Sequence, residues 1–432
     1  MRPSGRAVAL FAAVSAFGIT SAFFPVLSVV AWAAASLVLG LFAIDSLLSR
    51  STTLVGEREV ATSLSLQQWS DVTIRLSEAS RGVTVEIFDH FPDEGEAEGL
   101  PRTMRLEPNQ AGEMSYRFRP LRRGKLSFGR IELRLHSRLG WWRRRYWVGQ
   151  PVEVRSYPDF SRVQRFAVLA VDDKLSALGV KRRRRRGEAT ELHQLREYRD
   201  GDSPRHIDWK ATSRRRQLIS REFEDERNQN LVFMLDCSRR MRAQDGDLSH
   251  FDHALNSMLL LSYVALRQGD AVGLMAVGSE ERWLPPQRGG LAMKTVLNTV
   301  YDLETDLQAA DYATAATHVM SRQRRRSLVV LISNLRDEDA DEISAAVRLL
   351  RRRHLVMVAS LREAVLDELL EKEFTRFREA LRYGALHHYL EARRFGEQHA
   401  RSVGAAAIDV TPSQLPMALV HQYLAIKRAG AL

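Results

Sequence analysis

Two stretches carry the side chains with which this sequence could do chemistry. In the first, Glu197, Asp202, Arg205, His206 and Asp208 place carboxylates, a guanidinium and an imidazole in one short segment. Acid–base catalysis needs two titratable groups held in different environments around a substrate pocket, and nothing in the surrounding residues outlines one. A scaffold is the simpler reading: Gly201-Asp202 makes a turn, Arg196 and Arg205 pair with carboxylates, and Tyr198, Ile207 and Trp209 anchor the loop. Arginine suits two-pronged pairing of this kind better than lysine. Docking of a partner on the segment comes second, ahead of catalysis.

The second stretch is Asp236-Cys237-Ser238-Arg239-Arg240. Cys237 with His250 or His253 has the residue types of a nucleophile and its base. However, the cysteine directly follows an apolar run, where a free thiol is commonly a small core residue. No phosphate loop, HExxH, CxxC pair or G-x-S-x-G elbow occurs, so the commoner nucleotide, zinc and hydrolase signals are missing. The expectation is a binding protein rather than an enzyme, without a cofactor.

The elements that must position these residues follow from periodicity. From Leu231 onward, strand-like runs (Leu231–Leu235, Ala271–Val277, Ser327–Ile332, His354–Ser360, Ala405–Val410) alternate with amphipathic stretches (Phe251–Arg267, Leu291–Leu303, Ala340–Arg352, Leu366–Val403). Near-continuous apolar strands separated by helices imply a doubly wound, Rossmann-like α/β domain with a parallel sheet covered on both faces. Ligands of such sheets bind at the carboxyl ends of the strands, where Asp236 falls. Between Val55 and Tyr157 the pattern is β-like. Val72–Leu76, Val83–Ile87 and Ile131–Leu135 alternate at period two between turn-forming glycines, which suggests an all-β sandwich.

With 432 residues the chain has room for two or three domains. The boundaries expected are 1–50, 51–158, 159–229 and 230–432: an N-terminal membrane segment, the sandwich, a connector and the α/β domain. A single cysteine excludes an intrachain disulfide framework and fits a reducing compartment. The net charge of +11 gathers in Arg143–Arg145, Lys181–Arg186, Arg214–Arg216, Arg324–Arg326 and Arg351–Arg353, favouring anionic partners. The run Lys181–Arg186 reads either as a solvated loop or as a latch for anionic lipid.

At the N-terminus, Ala7–Phe24 and Val26–Ile44 are apolar and uncharged, each close to the roughly 20 residues that cross a membrane. A transmembrane helical hairpin is the reading preferred over a cleaved signal peptide, because a second apolar run follows at once. Arg2, Arg6 and Arg50 flank it and place both ends, and the soluble domains, on the cytoplasmic side of the inner membrane. Asp45 is expected at the boundary, within reach of water. Trp141-Trp142-Arg143-Arg144-Arg145-Tyr146-Trp147 fits a sandwich hairpin first, then a membrane interface, and single-stranded nucleic acid last.

The run Arg196-Glu197-Tyr198-Arg199-Asp200-Gly201-Asp202-Ser203-Pro204-Arg205-His206-Ile207-Asp208-Trp209-Lys210, continuing through Glu222 to Asp236, resembles the core motif of the bacterial family called domain of unknown function 58. Asp236-Cys237-Ser238 further resembles the start of a von Willebrand factor A domain, whose metal site uses D-x-S-x-S, then a threonine, then an aspartate. The resemblance puts Thr305 at the threonine position and sets Arg240 and Asn334 where that pattern has a serine and an aspartate. A lost carboxylate and an added guanidinium both disfavour a divalent ion, so no metal is expected to bind tightly, with weak Mg²⁺ binding at Asp236, Ser238 and Thr305 as the remaining metal reading. Arg240 is expected to pair with Asp236 in the ion's place. The family resemblance implies a MoxR-type AAA+ ATPase as protein partner and a chaperone-like or assembly role. The reading is a membrane-anchored, non-enzymatic adaptor; the alternatives are a Mg-dependent adhesion module and a basic lipid- or nucleic-acid-binding protein.

Overall fold

The computed structural model describes residues 2–21, 25–48, 54–77, 82–108, 110–137, 139–159, 191–198, 204, 207–224, 229–278, 281–371 and 376–431. The Lys181–Arg186 run lies outside them. The chain divides into two compact units, Met1–Tyr157 and Pro158–Leu432.

The first unit is rich in sheet. A five-stranded sheet runs, in spatial order, Arg2–Pro3, Trp142–Val148, Ile131–His136, Val83–Asp89 and Arg102–Leu106; sheets of four and three strands complete the unit. The period-two pattern explains the core. Val72, Ile74 and Leu76 from the four-stranded sheet meet Val85, Ile87, Ile131 and Leu133 from the five-stranded one, while the intervening polar residues face outward. Two helices precede this core, Gly5–Ser21 and Pro25–Leu48. Among the described residues one segment, Ser28–Leu47, is long and apolar enough to cross a membrane; Gly5–Ser21 is a shorter apolar helix. Phe11 meets Phe42 edge to face at 4.9 Å, bringing the two helices together. Both helix ends converge on the Trp142–Val148 strand. The Ser4 backbone donates to Trp141 O at 2.7 Å, Trp142 Nε1 donates to Phe42 O at 3.0 Å, and Leu139 N donates to Asp45 Oδ1 at 3.3 Å. Asp45 is therefore buried at 2% exposure under this strand's loop rather than reached by water.

Among the described residues, the first elements of the second unit are an antiparallel hairpin, Glu191–Glu197 with Ile219–Glu224, and a short helix, Trp209–Arg215, between its strands. An α/β domain follows, its elements numbered from the first strand of its sheet: β1 (Asn230–Asp236), α1 (His250–Arg267), β2 (Ala271–Val277), β3 (Trp283–Gln287), α2 (Ala292–Val300), α3 (Tyr312–Arg322), β4 (Leu328–Ser333), α4 (Ala340–Leu350), β5 (Leu355–Leu361), α5 (Val365–Leu370), α6 (Phe377–Ser402), β6 (Ala406–Val410) and α7 (Leu415–Arg428). The spatial order is β3-β2-β1-β4-β5-β6, parallel except for β3. Alternate residues of β1 serve opposite cores. Leu231, Phe233 and Leu235 pack with α1 and α7, whereas Val232 and Met234 pack with α3 and α4. Such double burial is why the strand is apolar at every position.

Several elements depart from the periodicity. The long amphipathic stretch after β5 is two helices, α5 and α6, and α3 and α7 lie outside the stretches that periodicity marks. The antiparallel edge β3 carries Pro285 and Pro286, which suppress the strand signal and are tolerated only where a ladder donor is not needed. It also explains Gly273 in β2, where an added Cβ would lie 2.8 Å from Leu284 O and from Pro286 N. Gly273→Val should force β3 away from the sheet and lower stability by about 1–3 kcal/mol in urea denaturation; unchanged stability would contradict the close approach.

Candidate functional site

Strand order reverses beside β1, whose neighbours β2 and β4 lead to opposite edges of the sheet, and the carboxyl ends of β1 and β4 border the crevice where doubly wound sheets bind ligands. Asp236 closes β1 with no exposed surface. Its Oδ1 accepts from the backbone N–H of Ser238 at 2.7 Å; its Oδ2 accepts from the Tyr312 hydroxyl at 3.0 Å and from the Ser333 hydroxyl. Tyr312 and Ser333 oxygens are 2.9 Å apart, so α3 and β4 meet at this one carboxylate. Burial raises the Asp236 pKa above the usual carboxylate range, and the donated hydrogen bonds only partly offset it. Burial, followed by the Asp236 charge, pushes the Tyr312 hydroxyl well above its ordinary value, so it stays a donor.

Thr305 lies close to this site through its loop. Asp306 N donates to Cys237 O at 2.9 Å and Arg239 N donates to Gln308 O at 3.1 Å, which ties the Thr305 loop to the Asp236–Arg239 turn. Within this pair of loops Arg239 is exposed and Leu307 is 73% exposed.

Arg240 does not pair with Asp236. Its guanidinium holds Asp339 and Glu338 at the start of α4, one carboxylate on each terminal nitrogen. Asn334 likewise turns away, into a second buried network. Its Oδ1 accepts from Arg393 Nη1 at 2.9 Å, and its amide donates to Glu363 Oε1 at 3.1 Å and lies 3.3 Å from His250 Nδ1. Arg393, buried on α6, also donates to Leu361 O at 2.7 Å, Ser360 Oγ at 2.8 Å and Asp409 Oδ1 at 2.6 Å. The ends of β4, β5 and β6 therefore converge on one guanidinium. Burial works against the charge of Glu363, yet its own backbone N–H, Asn334 and Arg393 outweigh it and hold the carboxyl below its usual range. Burial lowers His250.

This donor set does not suit a hard divalent ion. Asp236 is enclosed and already accepts from three donors, Asn334 is committed to Arg393 and Glu363, and a guanidinium stands at position 240. Among the described residues no group of three or more His, Cys, Asp or Glu could hold a metal. Cys237 is buried, with its thiol 3.6 Å from Leu235 O, while His250 faces Asn334 and His253 Nε2 lies 3.2 Å from Asp245 O.

Of the R-E-Y motif, Gly201, Asp202 and Arg205 lie outside the described residues, and Arg196 is described only as strand backbone opposite Ser220. The remainder is a small structural unit. Tyr198 N donates to Leu218 O at 2.8 Å, Ile207 bridges to Ser220, and Asp208 caps the Trp209–Arg215 helix by accepting from Ala211 N at 3.0 Å. Glu197 ends the first hairpin strand, and Lys210 is exposed in the helix. Trp209 is 68% exposed and so does not anchor the loop. Tyr312, Ser333, Arg393, Glu363 and Asp409 were not singled out by sequence. The phase of strands and helices could have flagged Ser333 at a strand's carboxyl end and Arg393 within an otherwise amphipathic helix.

Residues 194–373 match the family described as Protein of unknown function DUF58. A protein of Bacillus subtilis (strain 168), described as uncharacterized protein YeaD, is 30% identical over 103 residues, which are 24% of this chain and 24% of that protein. The chain thus spans about a quarter of the length of the curated relative it matches. Among solved structures, an aerotolerance-related membrane protein from Bacteroides fragilis NCTC 9343 is 17% identical, covering 45% of this chain and 97% of that one with a TM-score of 0.29. Proximal thread matrix protein 1 from the mussel byssus is 9% identical, covering 47% and 46% with a TM-score of 0.30.

Asp236 and Glu363 should give opposite pH signatures. A raised folded pKa means that Asp236 stabilises below its unfolded pKa and that this contribution is lost as pH rises through the folded value. Glu363, with a lowered pKa, stabilises above its unfolded pKa and loses that contribution as pH falls through the folded value. Asp236→Asn should therefore gain stability relative to wild type as pH rises above the unfolded carboxylate pKa of about 4, measured by urea denaturation at each pH. A stability difference between variant and wild type that does not change with pH would contradict the raised pKa.

Proposed function

We propose that this chain is a membrane-anchored, non-enzymatic adaptor that captures a protein partner on the carboxyl-end surface of its α/β sheet, without a metal ion. The observation that carries this reading is the state of Asp236: buried, and satisfied by Ser238 N–H, Tyr312 and Ser333, while Arg240 bonds to Glu338 and Asp339. Chemistry in which Asp236 acts on a substrate requires an accessible group, and this one is enclosed. The surface above it has the features of a docking patch instead, with Leu307 and Arg239 presented on loops that the sheet holds in place. In this respect the sheet end is that of a von Willebrand factor A-like domain whose ion has been replaced by protein hydroxyls.

Anchoring rests on Ser28–Leu47 together with the shorter apolar helix beside it, a two-helix anchor with its positive flanks and the soluble units in the cytoplasm. Val29, Trp32 and Leu37, all strongly exposed on the second helix, have no reason to face water. The resemblance of the R-E-Y motif supports a MoxR-type AAA+ ATPase as the partner, in a chaperone-like or assembly role.

Capture from solubilised membranes tests this. The full chain should retain an AAA+ ATPase equally with and without EDTA in the absence of nucleotide. Leu307→Asp should lower retention about tenfold, as for the loss of an interface hot spot, with the melting temperature unchanged. Loss of capture in EDTA would restore the Mg-dependent module, and full capture by Leu307→Asp would move the docking surface elsewhere.

A further inference from the structure

The five-stranded sheet of the first unit places Arg2 directly opposite Arg143, in an antiparallel register that puts Pro3 opposite Trp142. Directly opposed residues of an antiparallel pair project from the same face, and like charges in that relation repel. Neighbouring positions on that face are neutralised: Arg134 and Arg145 each bond Glu132 at 2.8 Å. Arg2, Arg143 and the nearby Arg6 are exposed, and among the described residues no carboxylate pairs with any of them. Arg6 is close because its Nη1 lies 3.6 Å from where a Cβ on Gly140 would be, in the loop leading into the Trp142–Val148 strand. Backbone pairing thus sets Arg2 beside Arg143, with Arg6 against the loop that leads into the same strand, while Asp45, the carboxylate at that loop, is buried and accepts from Leu139 N.

Their level along the helices is fixed. Trp142 stacks on Phe42 at 4.3 Å and donates to its carbonyl, and Ser4 bonds Trp141 O and Gly140 O immediately before the first helix begins. From Pro25 to Phe42 the second helix rises about 26 Å, and the first helix, Gly5–Ser21, is of similar length. The second helix, with the turns that follow Phe42, is long enough for a hydrocarbon core of roughly 30 Å, and the first is shorter. Trp141 and Trp142 therefore lie where aromatic belts meet headgroups, with the arginines beside them.

We propose that Arg2, Arg6 and Arg143 form a binding site for the phosphate of an anionic phospholipid, which pairs with arginines that no carboxylate of the described residues bonds and seats the sheet on the membrane surface. The proposal rests on the anchored reading given above. It is tested with the full chain, purified in a neutral detergent and analysed by native mass spectrometry with phosphatidylglycerol or phosphatidylcholine added at equal concentration. Alkaline-carbonate extraction of native membranes is run alongside. The wild type should resist extraction and retain phosphatidylglycerol in preference. The triple variant Arg2→Gln, Arg6→Gln, Arg143→Gln should still resist extraction but lose that preference by roughly tenfold or more. The triple Arg→Lys variant should keep most of it, since an ammonium also binds phosphate as a point charge.

Extraction of the wild type by carbonate would overturn the anchor and this site with it. A carbonate-resistant wild type without phosphatidylglycerol preference, or a Gln variant that keeps the preference, would overturn the lipid site alone. Arginine-dependent binding of inorganic phosphate or of a single-stranded oligonucleotide with equal strength would also overturn it, because the ligand would then not be the lipid.

Discussion

A carboxylate with no exposed surface is costly to ionise unless donors surround it, and Asp236 obtains those donors from three places far apart in sequence. Ser238 contributes through the turn that follows β1, Tyr312 through the first turn of α3, and Ser333 through the last position of β4. One acid thereby fixes how the loop after the central strand, the helix on one face and the neighbouring strand meet. The Thr305 loop is held to the same turn by backbone hydrogen bonds, so the shape presented at this sheet end descends from the satisfaction of Asp236. A metal ion would supply the same organisation with charge. Here hydroxyls supply it, and the positive charge of Arg240 is spent bridging to the start of α4.

Beyond β4 the same problem is solved with the opposite sign. Arg393 is a buried cation that gathers the ends of β4, β5 and β6 through Asn334, Ser360, Leu361 and Asp409. A buried guanidinium is tolerated only when its fork of donors is filled, and five acceptors including Tyr389 fill it. Several surface arginines are used internally as well. Arg351, Arg353 and Arg326 donate to Val403 O, Met320 O and Ala431 O, carbonyls at or just beyond the ends of helices, where positive charge is favoured. Part of the +11 net charge is therefore structural rather than a reservoir for anionic partners.

Periodicity made the parallel sheet legible because its inner strands β1, β2, β4 and β5 are buried on both faces, and it made the first unit legible because those strands are buried on one. The edge strand β3 was not, since its prolines carry no strand signature. The position of Asp236 at a sheet end could be read from the order of elements, and that of Thr305 only through the family resemblance. The orientation of Arg240 and Asn334 could not, because a long or amide side chain at a strand end can turn toward either of two neighbouring loops. Only the location of Glu338 and Arg393 decides between them. Trp209 failed for a related reason: an aromatic beside an apolar residue reads as an anchor, but the helix that Asp208 caps turns it outward.

If hydroxyl donors organise this sheet end, a divalent ion finds no site there. Electron paramagnetic resonance of Mn²⁺ titrated into the full chain measures this directly. At millimolar protein and metal the Mn²⁺ signal should remain that of the free ion, identical in wild type and Asp236→Asn. A stoichiometric loss of free Mn²⁺ in the wild type that disappears in Asp236→Asn would contradict it.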